Sequence, residues 1–152
     1  MNQAVSLGID LGTSELKAIL LDASGAILAQ SGERVSVSRR QPGWSEQDPA
    51  HWWHACLAAL ARLRDSQPQA WRRIACVGVS GQMHGAVMLD GAGQVLYPAI
   101  LWDDSRAVAQ AAQLNRDYPH YAEVTGSLAM AGLTAPKLLW MRQQEPELFA
   151  RI

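Results

Sequence analysis

The stretch that most constrains this chain is Gly8-Ile9-Asp10-Leu11-Gly12-Thr13-Ser14, set between two apolar runs. The first run, Ala4-Val5-Ser6-Leu7, alternates large and small residues in the manner of a buried strand. The second, Leu16 to Leu21, begins almost at once, so the loop joins two neighbouring strands through a tight turn. Asp10 falls where the first strand is expected to stop, and Gly12 lets the chain turn with no Cβ in the way. Thr13 and Ser14 add hydroxyls beside exposed backbone N–H groups. Such a turn can aim several N–H donors at one anion while the Asp holds a hydrated Mg²⁺ beside it. The same residues also suit a hairpin in which Asp and Gly serve turn geometry alone. The position directly after the first strand favours phosphate binding.

A loop of this kind needs a folded scaffold, and 152 residues are enough for one domain with a real core. Hydrophobic residues make up 49% and charged residues 18%, a globular balance. A net charge of −1 gives no electrostatic basis for a nucleic-acid or membrane-surface partner. Cys56 and Cys76 lack metal-ligand spacing and lie in apolar segments, which favours two buried thiols in a reducing cytosol over a disulfide. The N-terminus lacks the basic-then-apolar pattern of a signal peptide, and no apolar run reaches transmembrane length. The expected location is cytoplasmic.

Further along, Ala23-Ser24-Gly25 predicts a turn into a third strand, Ala26 to Val37, completing an antiparallel three-stranded meander. Residues 38–47 read as irregular around Pro42-Gly43. Asp48-Pro49 opens a helix to about Arg64, and Trp53, Cys56, Leu57, Leu60 and Leu63 recur at helical spacing as its buried face. Ile74 to Ser80 is a β-branched run that fits an interior strand. Strands are expected at 86–89 and 95–97 around the turn Asp90-Gly91-Ala92-Gly93, with an extended piece at 98–102. Helices are expected at about 105–117 and at 135–144, the second capped by Thr134 and ended by Glu145-Pro146. Residues 118–133 fit no single element. The order strand-strand-strand-helix-strand predicts an α/β domain with a mixed sheet flanked by helices, and the absence of G-x-G-x-x-G argues against a Rossmann unit.

Two further groups can carry chemistry. In Gly81-Gln82-Met83-His84-Gly85 the flanking glycines let the backbone approach a ligand. Met83 offers an apolar wall, and His84 can exchange hydrogen bonds with hydroxyls. A histidine after a strand also serves purely structural roles. Trp102-Asp103-Asp104 can bind sugar hydroxyls beside an aromatic ring, while Asp104 equally suits a helix cap. Lys17 can reach a phosphate oxygen or simply face solvent. His51, His54 and His120 read as helix-surface or loop residues. No Ser/His/Asp set, acid/base carboxylate pair or zinc spacing is present.

Taken together, these pieces resemble the amino-terminal part of a sugar kinase of the FGGY family. The matching stretches are Gly8 to Ser14, Gln41-Pro42-Gly43-Trp44-Ser45-Glu46-Gln47-Asp48-Pro49 with Trp52-Trp53, and Gly81 to Gly85. Ala99-Ile100-Leu101-Trp102 with Asp104 and Arg106, and Thr134-Ala135-Pro136-Lys137-Leu138-Leu139-Trp140, complete the set. They follow the family's order across essentially the whole chain, and the Gln-Met-His-Gly loop points to the branch acting on D-xylulose. The resemblance implies an actin-like, ribonuclease H-like ATPase domain. It also implies transfer of the ATP γ-phosphoryl group to a sugar hydroxyl with Mg²⁺.

On that basis Asp10 is the Mg²⁺ and phosphate aspartate and the catalytic-site residue of this segment. Gly12, Thr13, Ser14 and Lys17 form the phosphate site, and Met83, His84, Trp102, Asp103 and Asp104 the sugar site. Sugar and ATP are the implied partners, with neither nucleic acid nor membrane, and a homodimer stays open as an assembly state. Asp103 stands where related sequences usually carry Asn, and Ser105 where Gly is common. Family members run to roughly three times this length, a size that divides into domains. The implied organisation is therefore one N-terminal domain over residues 1–152. The catalytic base, the adenine pocket and a C-terminal actin-like domain are expected beyond residue 152, which leaves the segment alone inactive. Another sugar such as ribulose, or a non-catalytic sugar-binding module of the same fold, is the alternative.

Overall fold

The computed structural model describes residues 4–152. Contacts group them into two compact units, one from residues 4–36 and Ala50–Gln82, the other from Val37–Pro49 and Met83–Ile152.

The first unit is a mixed sheet with helices. Strands β1 (Val5–Leu11), β2 (Glu15–Leu21) and β3 (Ile27–Arg34) form the expected antiparallel meander. Strand β5 (Ile74–Gly81) pairs in parallel with β1, giving the order β3-β2-β1-β5. The turn into β3 is held by Asp22, whose Oδ1 accepts the Ser24 and Ala26 N–H groups at 2.8 and 3.0 Å. Strand alternation puts Val5 and Leu7 on one face with Leu16, Ala18 and Leu20 of β2, and all five are buried. Helix α1 (Pro49–Ser66) covers that face through Ala55, Ala59 and Leu63, and the short α2 (Pro68–Trp71) adds Ala70. Each fully buried leucine contributes about 1.5–3 kcal/mol.

Several expectations are corrected in this unit. Leu63 is buried as expected, but Ala55 and Ala59 complete the buried stripe of α1, whereas Trp53 and Leu57 face outward, 63% and 47% exposed. Small Ala side chains let the helix backbone lie close to the sheet, so the packed stripe is not the most hydropathic one. Trp52, Cys56 and Leu60 pack only partly against the core. Strand β5 is not interior: it lies at a sheet edge among the described residues, with Val77 and Val79 exposed. Both cysteines are free, as expected, but Cys56 is half-buried and Cys76 exposed. Strand β3 ends at Arg34, short of Val37.

The second unit is loop-rich. The stretch expected to be irregular contains β4 (Glu46–Gln47), which pairs antiparallel with β6 (Ala99–Ile100). The strands expected at 86–89 and 95–97 reduce to isolated bridges, Ala86–Ile100 and Leu89–Val95. Asp90 closes the turn between them, its Oδ1 accepting the Ala92 and Gln94 N–H groups at 2.9 Å. Helix α3 (Val108–Asp117) starts later than expected, and α4 (Tyr121–Thr125) occupies part of 118–133. Helix α5 (Thr134–Gln144) begins at Thr134 itself, with Leu133 at the N-cap position, so Thr134 is not the cap. Helix α6 (Pro146–Phe149) follows the expected break at Glu145.

At the centre of this unit lies a charge network. Arg106 Nη2 bonds Asp104 Oδ2 at 2.7 Å and Glu46 Oε1 at 2.8 Å, with all three side chains at most 2% exposed. The guanidinium lies 3.7 Å from the Trp44 ring centroid and 5.0 Å from that of Trp140, and the two rings meet edge to face. Burial works to lower the Arg106 pKa, but Asp104 and Glu46 outweigh it and hold the group above its ordinary value.

Candidate functional site

Strand β1 carries Asp10 one residue from its C-terminal end, still within the ladder rather than beyond it. Its register neighbours are Lys17 on β2 and Ser80 on β5, and the Ser80 hydroxyl donates to Asp10 Oδ1. Asp10 and Lys17 are both exposed. Two residues earlier on the same face, Gly8 pairs with Gly78, so neither strand adds a side chain at that position and the Ile19 side chain lies against Gly8. A Cβ at Gly78 would meet nothing within 4 Å, which marks open space, whereas one at Gly8 would come 3.0 Å from Ile19. An open groove results, lined by Gly8, Asp10, Lys17, Gly78 and Ser80 together with the apolar Ile9, Ile19 and Val79. Its polar chemistry is a single accessible carboxylate with a lysine across the strand, set beside apolar side chains.

The turn after β1 closes through the Gly12 N–H donating to the Glu15 carbonyl at 3.0 Å. A Cβ at Gly12 would stand 2.9 Å from that same oxygen, so glycine is required by space. Gln82, which follows β5, braces the turn: the Thr13 hydroxyl donates to its Oε1, and its Nε2 donates to the Gly12 carbonyl, both at 3.4 Å. Ser14 accepts the Val35 N–H through its carbonyl, leaving its side chain exposed. The first unit thus brings together Asp10, Gly12, Thr13, Ser14 and Lys17. Ser80 and Gln82 join them, two residues not singled out from the sequence as partners of this loop. The signal for both was their place at the C-terminal end of the second glycine-bearing strand.

In the second unit, Met83 and His84 are exposed, and His84 has φ 57°, the left-handed region. Its carbonyl accepts the Lys137 ammonium at 2.8 Å and the Thr134 hydroxyl at 3.4 Å. Trp102 is 46% exposed. Asp103 pairs with Arg39 at 2.8 Å. Its partial burial works to raise the carboxyl pKa, but the nearby Ser45 hydroxyl and the Arg39 guanidinium outweigh it and leave the group below its usual range.

Asp104 corrects the sequence expectation. It is buried, and its two oxygens accept the Ser45 N–H at 2.6 Å, the Arg106 N–H at 2.9 Å and the Arg106 guanidinium. It does not cap α3, whose N-cap position is Ala107 without a side-chain bond; it closes the turn ahead of that helix by accepting the N–H two residues on, and its oxygens are enclosed. The two departures from the family pattern also have local partners. Ser105 donates its N–H to the Gly43 carbonyl at 2.8 Å, while Asp103 holds Arg39. Among the described residues no group of three or more His, Cys, Asp or Glu could hold a metal ion, and none of the described helices is long and apolar enough to cross a membrane.

A mixed sheet of order β3-β2-β1-β5, opening in an antiparallel meander and flanked by helices, is the actin-like ATPase fold. The profile of the FGGY family of carbohydrate kinases, N-terminal domain, matches residues 5–152. The chain belongs to that family. It is 46% identical over 146 residues to the xylulose kinase of Escherichia coli K12, covering 96% of this chain and 30% of that protein. With the xylulose kinase of Bacillus subtilis strain 168 the identity is 38% over 146 residues, 95% of this chain and 29% of the other. A solved kinase from Brucella ovis, titled a xyloylose kinase, superposes with TM-score 0.94 at 46% identity, covering 97% of this chain and 31% of that one. The xylulose kinase from Rhodospirillum rubrum gives TM-score 0.92 at 32% identity, with the same coverages. The chain thus spans about 30% of the length of the curated relatives it matches.

Proposed function

We propose that this chain is the N-terminal part of an ATP-dependent kinase that converts D-xylulose to D-xylulose 5-phosphate in the cytoplasm. The observation that carries this reading is the 46% identity to a xylulose kinase along nearly the whole chain. Asp10 on its open strip supports it. Magnesium keeps several waters and takes one or two carboxylates plus phosphate oxygens, so one exposed carboxylate in an open groove suits it. Asp10 would hold the ion, which when bound supplies charge neutralisation at the phosphates. Gly12, Thr13 and Ser14 would bind phosphate oxygens through backbone N–H and hydroxyl groups, with Lys17 adding positive charge. Met83 and Trp102 would line the apolar face of the sugar, while His84 and Asp103 exchange hydrogen bonds with its hydroxyls. Asp104 is left out of this set because it is enclosed.

The test is a coupled assay of the full-length protein with ATP against D-xylulose, D-ribulose, glycerol and gluconate. Preference for D-xylulose in kcat/KM is the expected result. Preference for another of these substrates, or no turnover with any, overturns it. The 152-residue segment by itself is expected to give no turnover, since positioning of both substrates with a base is what drives phosphoryl transfer.

A further inference from the structure

Lys137 is fully buried in α5, an uncommon place for a lysine. Among the described residues no ion pair to its ammonium is found; it donates to two neutral carbonyls, those of His84 and Gly132, each at 2.8 Å. Burying a charge on such terms is costly, so what it holds together is informative. His84 is the non-glycine residue with positive φ among those described, and such a backbone persists only where its surroundings over-determine it. The Thr134 hydroxyl reaches the same His84 carbonyl at 3.4 Å. At the other anchor, a Cβ on Gly132 would stand 2.4 Å from the Trp102 carbonyl, so that turn is seated against Trp102. One ammonium therefore ties the His84 turn to the segment that backs Trp102. The charged groups around it are Asp104 and Asp103, which favour its charge, and Arg106, which opposes it.

We propose that Lys137 is a positioning residue for sugar recognition: it fixes the left-handed backbone of His84 and thereby sets the direction of the His84 imidazole. The inference rests on His84 contacting the sugar, as in the function proposed above.

The experiment is a double-mutant cycle in the full-length protein: unmodified, His84→Ala, Lys137→Met and both together, with D-xylulose and ATP varied separately. Lys137→Met is expected to raise the sugar KM about tenfold with the ATP KM unchanged. In the His84→Ala background the same substitution is expected to change it by less than about twofold. Lys137→Gln, which keeps an amide donor, is expected to recover part of the loss and serves in its place if Lys137→Met does not accumulate. An equal rise with and without the His84 side chain overturns the inference. So does a lowered melting temperature with both KM values intact, which would leave Lys137 a core staple. If His84→Ala alone leaves D-xylulose kinetics unchanged, the sugar-site reading fails and this inference falls with it, an outcome visible before any Lys137 variant is measured.

Discussion

Asp10→Asn in the full-length protein separates metal chemistry from turn chemistry, because it keeps shape and hydrogen-bonding capacity while removing charge. The structural cost follows from what Asp10 touches. It is exposed, takes one side-chain hydrogen bond from Ser80, and faces Lys17 across the ladder. One net hydrogen bond contributes about 0.5–1.5 kcal/mol, and opposite charges at register-paired positions at most about 0.2–1 kcal/mol, the ammonium of Lys17 lying 3.9 Å from Glu15. Asp10→Ala should therefore cost at most about 2.5 kcal/mol in stability, and Asp10→Asn, which loses only the charge pair, about 1 kcal/mol or less. Catalysis should respond on a different scale. Removing one preorganised group that balances charge in the transition state costs about 10²–10³ in kcat, and phosphoryl transfer depends almost wholly on such terms. Steady-state kinetics across a Mg²⁺ titration, with D-xylulose binding followed by calorimetry, should show kcat reduced about 10²–10³-fold in both variants. Sugar affinity should be preserved, since Met83 and His84 belong to a separate loop. A kcat within about tenfold of the unmodified protein in Asp10→Asn at ordinary Mg²⁺ would refute the metal reading, since a lost surface charge pair accounts for no more than that.

Other substitutions probe the scaffold. Arg106→Met leaves Glu46 and Asp104 buried without their cation, so the denaturation midpoint should fall by the equivalent of about 3–5 kcal/mol; a loss under about 1 kcal/mol would mean that water reaches the site. The Lys137 pKa is lowered by burial, partly offset by Asp104 and Asp103, from 10.5 to about 8. Between those values the unfolded chain holds a proton that the native one has released, so stability from this group rises with pH over that window. Urea midpoints at increasing pH should show that rise, and Lys137→Met should lack it. Ala59→Leu on the packed face of α1 should cost about 1–3 kcal/mol by overpacking, while Trp53→Ser on the outward face should stay within about 0.5 kcal/mol; the reverse ranking would restore the hydropathic stripe as the buried one.

What could be read from the chain is what is encoded locally. The turn at Asp22, the tight turn at Gly12 and the Asp90 turn each depend on residues within a few positions, and all three are where their sequence puts them. Asp104 is a local feature of the same kind, since its Oδ1 accepts the N–H two residues on, but it closes a turn and does not cap α3, which starts later, at Val108. What could not be read is what distant residues decide together. Glu46 and Arg106 are far apart in sequence, and nothing in either segment reveals that one buried ion pair joins them. On α1 the expected face holds at Leu63, Cys56 and Leu60 and fails at Trp53 and Leu57, because hydropathy weights large apolar residues whereas close packing against a sheet also admits Ala55 and Ala59. Strand β5 has the composition of an interior strand, and composition carries no information about whether a neighbour stands beside it.

Lys137 shows how the two kinds of information combine. Its neighbours Pro136, Trp140 and Met141 are buried, so helical spacing places a lysine on an apolar face, and residue-type preference turns it outward to solvent. That conflict is settled by the His84 turn, which lies more than fifty residues upstream and whose carbonyl needs a strong donor where no strand ladder supplies one. A local rule broken at a buried position, with its compensation found at an exposed loop, is the pattern expected where a fold gives up stability to hold a binding residue in place.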